Sequence, residues 1–169
     1  MAAYELAAAL DWWVVPPTVA REGPLGEGSV QLFVDADFEH HYFTLQDDRR
    51  YREDLMAICA FDLVANNTDR KSGHCLLGKD HRIYAIDNGL SFHVEPKLRT
   101  VLWDFAGEPI PPSLLCDLER LFDEGLPDEL TALLDEEEAE ACAERLFAVI
   151  DLAHFPVDTT GRRYPWPLV

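Results

Sequence analysis

The stretch Asn66-Asn67-Thr68-Asp69-Arg70-Lys71-Ser72-Gly73-His74 is followed, after one short hairpin, by Ala85-Ile86-Asp87-Asn88-Gly89. Asp69 and Asp87 each stand at the edge of an apolar run. A phosphoryl-transfer centre needs one carboxylate to orient an attacking hydroxyl and a second to hold the divalent metal that neutralises the phosphates. Asp69 follows a long helical pattern on an irregular segment, where a rigid scaffold can present a side chain to solvent. Lys71 brings a cation to the same space. Asp87 ends a strand and precedes Asn88-Gly89, a position suited to a hard cation such as Mg²⁺. Two carboxylates converging on one cleft repel each other until a cation joins them. Taken singly, either aspartate reads as an ordinary turn residue. The pair at this spacing points to chemistry, provided both side chains face one shared hollow.

Working outward, residues 48–66 predict a long helix with Tyr51, Leu55, Ile58, Cys59, Asp62 and Leu63 on one buried face, ended by Asn66-Asn67. Strands are expected at 75–77 and 82–86, joined by Gly78-Lys79-Asp80-His81. Upstream, residues 2–10 suit a helix, and 13–19 an edge strand interrupted by Pro16-Pro17. The glycines of 23–28 read as a hairpin turn: a phosphate-binding loop would be followed by Lys-Ser or Lys-Thr and a helix, and a strand over 29–34 follows instead. Downstream, helices are expected over 97–105, 112–122, 128–134 and 136–153, with the Pro-rich end, 161–169, packed back through Tyr164, Trp166 and Leu168. The class is α+β.

At 169 residues the chain fits one domain. Its 32 acidic residues against 14 Lys plus Arg give a net charge of −18, which repels phosphate backbones and anionic headgroups and argues against nucleic-acid binding and stable membrane association. Asp135-Glu136-Glu137-Glu138 reads as a solvated helix start. Cys59, Cys75, Cys116 and Cys142 are too widely spaced for a C-x-x-C metal site and read as mostly buried free thiols. Met1 leads into an Ala-rich amphipathic segment rather than a basic start and an apolar core, so a cytoplasmic location is expected. His40-His41 point to opposite sides of any regular element and read as no metal pair. Trp12, Trp13, Trp103 and Trp166 read as core anchors, since only Arg162-Arg163 offers the basic neighbours that base stacking requires.

Asn67-Thr68-Asp69-Arg70 and Ala85-Ile86-Asp87-Asn88-Gly89-Leu90 resemble the catalytic loop and metal motif of the phosphatidylinositol 3-/4-kinase superfamily, with the type II phosphatidylinositol 4-kinases especially similar there. The likeness extends, through Trp103-Asp104-Phe105 and the Tyr-Pro-Trp-Pro end, to an uncharacterised actinobacterial family described as kinase-like. The resemblance implies a mostly helical C-terminal lobe of a kinase-like fold over 38–169, carrying short β-hairpins. Residues 1–37 would be the remnant of a largely missing N-terminal lobe and hinge. It implies ATP and Mg²⁺ or Mn²⁺ as cofactors, Asp69 as catalytic aspartate, Lys71 as a contact to the transferred phosphate and Asp87 as metal ligand. Gln31, Leu32, Phe33 and Val34 would line the adenine site, with Leu76 and Ile86 beneath the base, and His93 would face substrate.

Two departures qualify it. These kinases place an asparagine five residues after the catalytic aspartate as a second metal ligand; this chain has His74, which either binds metal, suiting Mn²⁺ better than Mg²⁺, or supports the Asp69 loop. The phosphate-covering hairpin and the strand lysine of the N-terminal lobe have no counterpart here. Nothing here resembles the Cys-rich palmitoylated insertion of the type II lipid kinases, and a net charge of −18 opposes docking on an anionic bilayer, so the acceptor is expected to be a small-molecule or protein hydroxyl rather than a lipid. The alternative is a truncated or degenerate module that binds nucleotide or a partner without catalysis. Apolar residues around Leu32, Phe33 and Leu76 would then be exposed at the missing-lobe face, open to a partner or to self-association.

Overall fold

The computed structural model describes every residue except 160 and 162, so Arg162 lies outside the described residues. Its scaffold grows around one helix, α3 (Arg52–Ala65), of which ten residues are buried, Phe61, Ile58 and Leu55 completely. Burying a large apolar side chain contributes roughly 1.5–3 kcal/mol, so this helix is the core's main apolar contributor. The 48–66 pattern was one turn too long at its start. Asp48 accepts hydrogen bonds from the Arg50 backbone and guanidinium, and that local turn competes with helix before Arg52. At the other end Asn66 takes the left-handed conformation expected of it (φ 54°, ψ 50°).

Against α3 pack α1 (Ala2–Ala9) and the late helix α6 (Glu136–Leu152), which α4 (Pro112–Glu124) supports in turn. Short helices α2 (Tyr42–Leu45) and α5 (Asp128–Thr131) fill the corners. An antiparallel sheet of order β3-β4-β5 (Ala36–Asp37, Cys75–Gly78, Ile83–Ala85) completes the body. The architecture is α+β, with small antiparallel sheets. Among the described residues no helix is long and apolar enough to cross a membrane.

Three expectations are corrected. The strand read over 29–34 is β2 (Gly26–Gln31), paired with β1 (Thr18–Gly23) in a hairpin turned at Pro24-Leu25 with Gly26 at φ 102°. All of β2 is exposed. Pairing stops at Leu32, whose N–H reaches Pro17 O at 2.8 Å, because the prolines opposite have no N–H to continue it. Residues 97–105 are not helical. They run extended past the Asp69 segment, with a parallel bridge between Arg70 and Thr100, and only Trp103–Phe105 turns, as a 3-10 helix. Backbone pairing with the loop outweighs the weak local helix preference there.

The third correction concerns the aromatics. Trp12 is buried, but Trp13 and Trp166 are 62% and 87% exposed. The C-terminal segment does return to the body, held by its backbone: Leu168 O accepts from Ser72 N at 2.8 Å, and Arg163 O from Thr100 N at 3.0 Å. Cys59, Cys75 and Cys142 are buried free thiols, and burial pushes Cys75 up to about 12.

Candidate phosphotransfer site

The two motifs are joined by a residue to which sequence reasoning assigned no role. Arg70 is completely buried, as is Asp62 on α3. The Arg70 Nε and Nη2 donate to both Asp62 carboxylate oxygens at 2.9–3.2 Å. Nη1 donates to Ile86 O at 2.7 Å, and Nη2 also reaches Asn88 Oδ1. One guanidinium thus fastens the Asp69 segment to the helix behind it and to the Asp87 segment beside it. Burial pushes the Asp62 carboxyl up, while the Arg70 charge and the hydrogen bonds from Arg70 and Thr100 pull it back. The available signal was Asp62 itself: a carboxylate on an otherwise apolar buried face demands a paired cation.

The asparagines complete the frame. Asn66 Nδ2 donates to His93 O and Glu95 O at 2.7 and 2.8 Å, and its Oδ1 accepts from Lys97 N at 2.9 Å. Asn67 Oδ1 accepts from the Asp69 backbone at 2.9 Å, orienting that residue.

On this frame Asp69, Lys71, His74 and Asp87 share one electrostatic neighbourhood. Lys71 Nζ lies 2.9 Å from Asp69 Oδ2. His74 Nε2 lies 3.3 Å from Asp87 Oδ2. The imidazole also feels Asp69, Lys71 and Arg70. Burial holds His74 below the usual histidine value, with Asp87 acting against that shift and the two cations adding to it. Its Nδ1 accepts from the Lys71 backbone N–H at 3.4 Å, so in the neutral ring Nε2 carries the hydrogen and turns it to Asp87. In this tautomer His74 supports the loop and positions Asp87. Asp87 itself sits just past β5 with φ 55°, and its side chain is 64% exposed.

Asp87 lines a hollow of 400 Å³ with Asn88, Thr18, Gln31, Ser91 and Glu138; Asp69 is not in that lining, so the two aspartates do not share this hollow as expected and are linked through the Arg70 frame instead. Leu32, Phe33 and Val34 line a different hollow, of 390 Å³. Leu76 is buried in β4, and Ile86 is half-buried, its N–H bonded to His74 O at 3.0 Å. Of the residues expected around adenine, then, the structure brings only Gln31 to the hollow of Asp87. His93 is exposed and lines a third cavity beside Thr68.

Among the described residues no three His, Cys, Asp or Glu side chains converge as a ready metal cage. Asp87 offers one exposed carboxylate beside the imidazole. That donor set fits Mg²⁺, which keeps several waters and takes one or two carboxylates plus phosphate oxygens.

No family model matches the chain. It is 33% identical over 203 aligned residues to Protein Rv2133c of Mycobacterium tuberculosis, the match covering 99% of this chain and 73% of that protein. At that identity and coverage the chain belongs to the family of Protein Rv2133c.

Proposed function

We propose that the chain is an ATP- and metal-dependent phosphotransferase of phosphatidylinositol 3-/4-kinase-like fold, moving the γ-phosphate to a non-lipid hydroxyl. The observation that carries the reading is the buried Arg70, which ties the Asp69 and Asp87 segments to one helix and to each other. In this reading Asp69 accepts the hydroxyl proton, and Lys71, 2.9 Å away, offsets charge on the transferred group. Asp87 holds the metal, oriented by His74. The bound metal supplies charge neutralisation along the phosphates. Residues 1–37 act as N-terminal-lobe and hinge residues and 38–169 as the C-terminal lobe of one domain, working in the cytoplasm.

A second reading, a kinase-like module that binds nucleotide or a partner without turnover, draws on two observations. Leu32, Phe33 and Val34 lie away from the Asp87 hollow, and Leu32 and Phe33 are 61% and 78% exposed, as a docking face would be.

The test is thermal stability with ATP and Mg²⁺ or Mn²⁺, measured on the native chain and on Asp87→Asn. A metal-dependent rise that disappears in the variant supports the site, because a ligand stabilises the state it binds. An equal rise in both removes Asp87 from it. Transfer abolished by Asp69→Ala, with that rise intact, separates the enzyme from the binding module.

A further inference from the structure

The cavity that holds His93 measures 560 Å³ and is lined by Thr68, Lys97, Arg99, Arg163 and Glu138 among others. In a chain of 32 acids and 14 Lys plus Arg, one hollow gathers three cations in its lining against a single acid, Glu138. Their backbone is stitched to the Asp69 segment. Arg99 N donates to Asn67 O at 2.9 Å and Arg99 O accepts from Arg70 N at 3.0 Å, bracketing Asp69. Thr68 N donates to Leu90 O at 2.9 Å, and Thr100 N to Arg163 O at 3.0 Å. The cations therefore keep a set register with the proposed base.

Their charge is only partly spent. Among the described residues the Arg99 side chain enters no ion pair. Lys97 leans on Glu95 at 3.1 Å, and Arg163 Nε stands 3.9 Å from Asp158. The opposing acid in the lining, Glu138, accepts from the Asp135 backbone at 3.1 Å in the cap of α6. The His93 ring receives the Glu95 N–H at 3.0 Å on one nitrogen and lies 2.8 Å from Lys97 Nζ with the other. A neutral imidazole has one acceptor nitrogen, so one of those two donors is left for another acceptor.

We infer that this hollow binds the acceptor and that the acceptor is itself phosphorylated: a phosphate monoester of a small, non-lipid polyol. Arg99, Lys97 and Arg163 hold its phosphate, Arg with the fork geometry that matches phosphate oxygens. The volume leaves room for a body larger than the phosphate alone. The inference rests on the phosphotransferase reading for the fate of the bound molecule. A free hydroxyl near Asp69 attacks the γ-phosphorus, a new O–P bond forms, the bond to the bridging β–γ oxygen breaks, the proton passes to Asp69 and ADP leaves.

The test needs no ATP. Glycerol 3-phosphate is titrated into the native chain, into Lys97→Gln/Arg99→Gln and into a remote control, Arg50→Gln, with glycerol as the uncharged probe; ³¹P line broadening and calorimetry give the affinity. Saturable binding of glycerol 3-phosphate, about tenfold weaker in the double variant and unchanged in the control, supports the site. Should the double variant unfold, Arg99→Gln alone repeats the test, since among the described residues that side chain has no ion pair to lose. Equal affinity in the double variant, equal binding of glycerol, or no binding of glycerol 3-phosphate overturns it. Binding here with no ATP-dependent stabilisation would leave this site standing and remove the phosphotransferase. ATP-dependent stabilisation with no binding here would do the reverse.

Discussion

Arg70 and Asp62 meet in a bidentate pair with neither side chain exposed to solvent, and the same guanidinium reaches Ile86 O. A buried pair of this kind contributes little relative to apolar packing, but removing one partner strands a charge. Arg70→Leu should therefore cost about 3–5 kcal/mol in urea unfolding. Arg70→Lys should recover part of that loss, since a point charge cannot fork onto Asp62 and still reach Ile86. A loss under about 1 kcal/mol for Arg70→Leu would mean the two motifs are held together by something else.

Asn66 performs two tasks that substitution can separate. Asn66→Gly keeps the left-handed helix end but loses the hydrogen bonds to His93, Glu95 and Lys97. Asn66→Ala loses both. Each bond contributes about 0.5–1.5 kcal/mol, so both variants should be clearly destabilised, with Ala the worse by roughly 1 kcal/mol. Chemical denaturation of the pair measures the gap. If Gly is the worse of the two, chain entropy dominates over conformational strain.

His74 predicts a pH dependence. Burial lowers its proton affinity in the folded chain, so the unfolded chain takes up the proton first as pH falls. Stability from this group is whole above about pH 6.5 and drains away as pH drops from there towards the folded value. The native protein should lose more melting temperature between about pH 7.5 and 5.5 than His74→Asn does. Parallel curves would show that the ring titrates alike in both states.

Asp69→Asn preserves size and removes the proton acceptor. Under the proposed function it should lower the transfer rate by about 10²–10⁴ and leave the ATP- and metal-dependent melting shift in place. A rate within a few-fold of native, read by single-turnover assay, would assign the base elsewhere.

Asp135 accepts from Glu138 N at 2.8 Å, and the Glu138 side chain returns the bond, a reciprocal cap on α6. Asp135→Ala should cost about 1 kcal/mol, with the far-UV helical signal nearly unchanged in native buffer. The same loss in Glu138→Gln would be unexpected, because an amide oxygen can still accept.

Several elements were legible from local chemistry alone. Asn66 at a helix end, Gly26 in a turn after Pro24, and Asp135 three residues before Glu138 each satisfy a requirement met within a few residues, and each appears where its type predicts. The extended course of 98–101, the exposure of Leu32 and Phe33, and the outward turn of Trp13 and Trp166 depend on partners distant in sequence. No short window contains those partners.

By itself the sequence determined the C-terminal end of α3, the start of α6 and that Asp69 and Asp87 lie on the two sides of a hairpin, because caps, turns and periodicity act over a few residues. Only the tertiary structure decided that Arg70 joins them through Asp62, that His74 faces Asp87, and that Lys97, Arg99 and Arg163 gather at one hollow. Burial raises the energy of an unpaired charge, and which charges become buried or crowded is set by the packing of the whole chain.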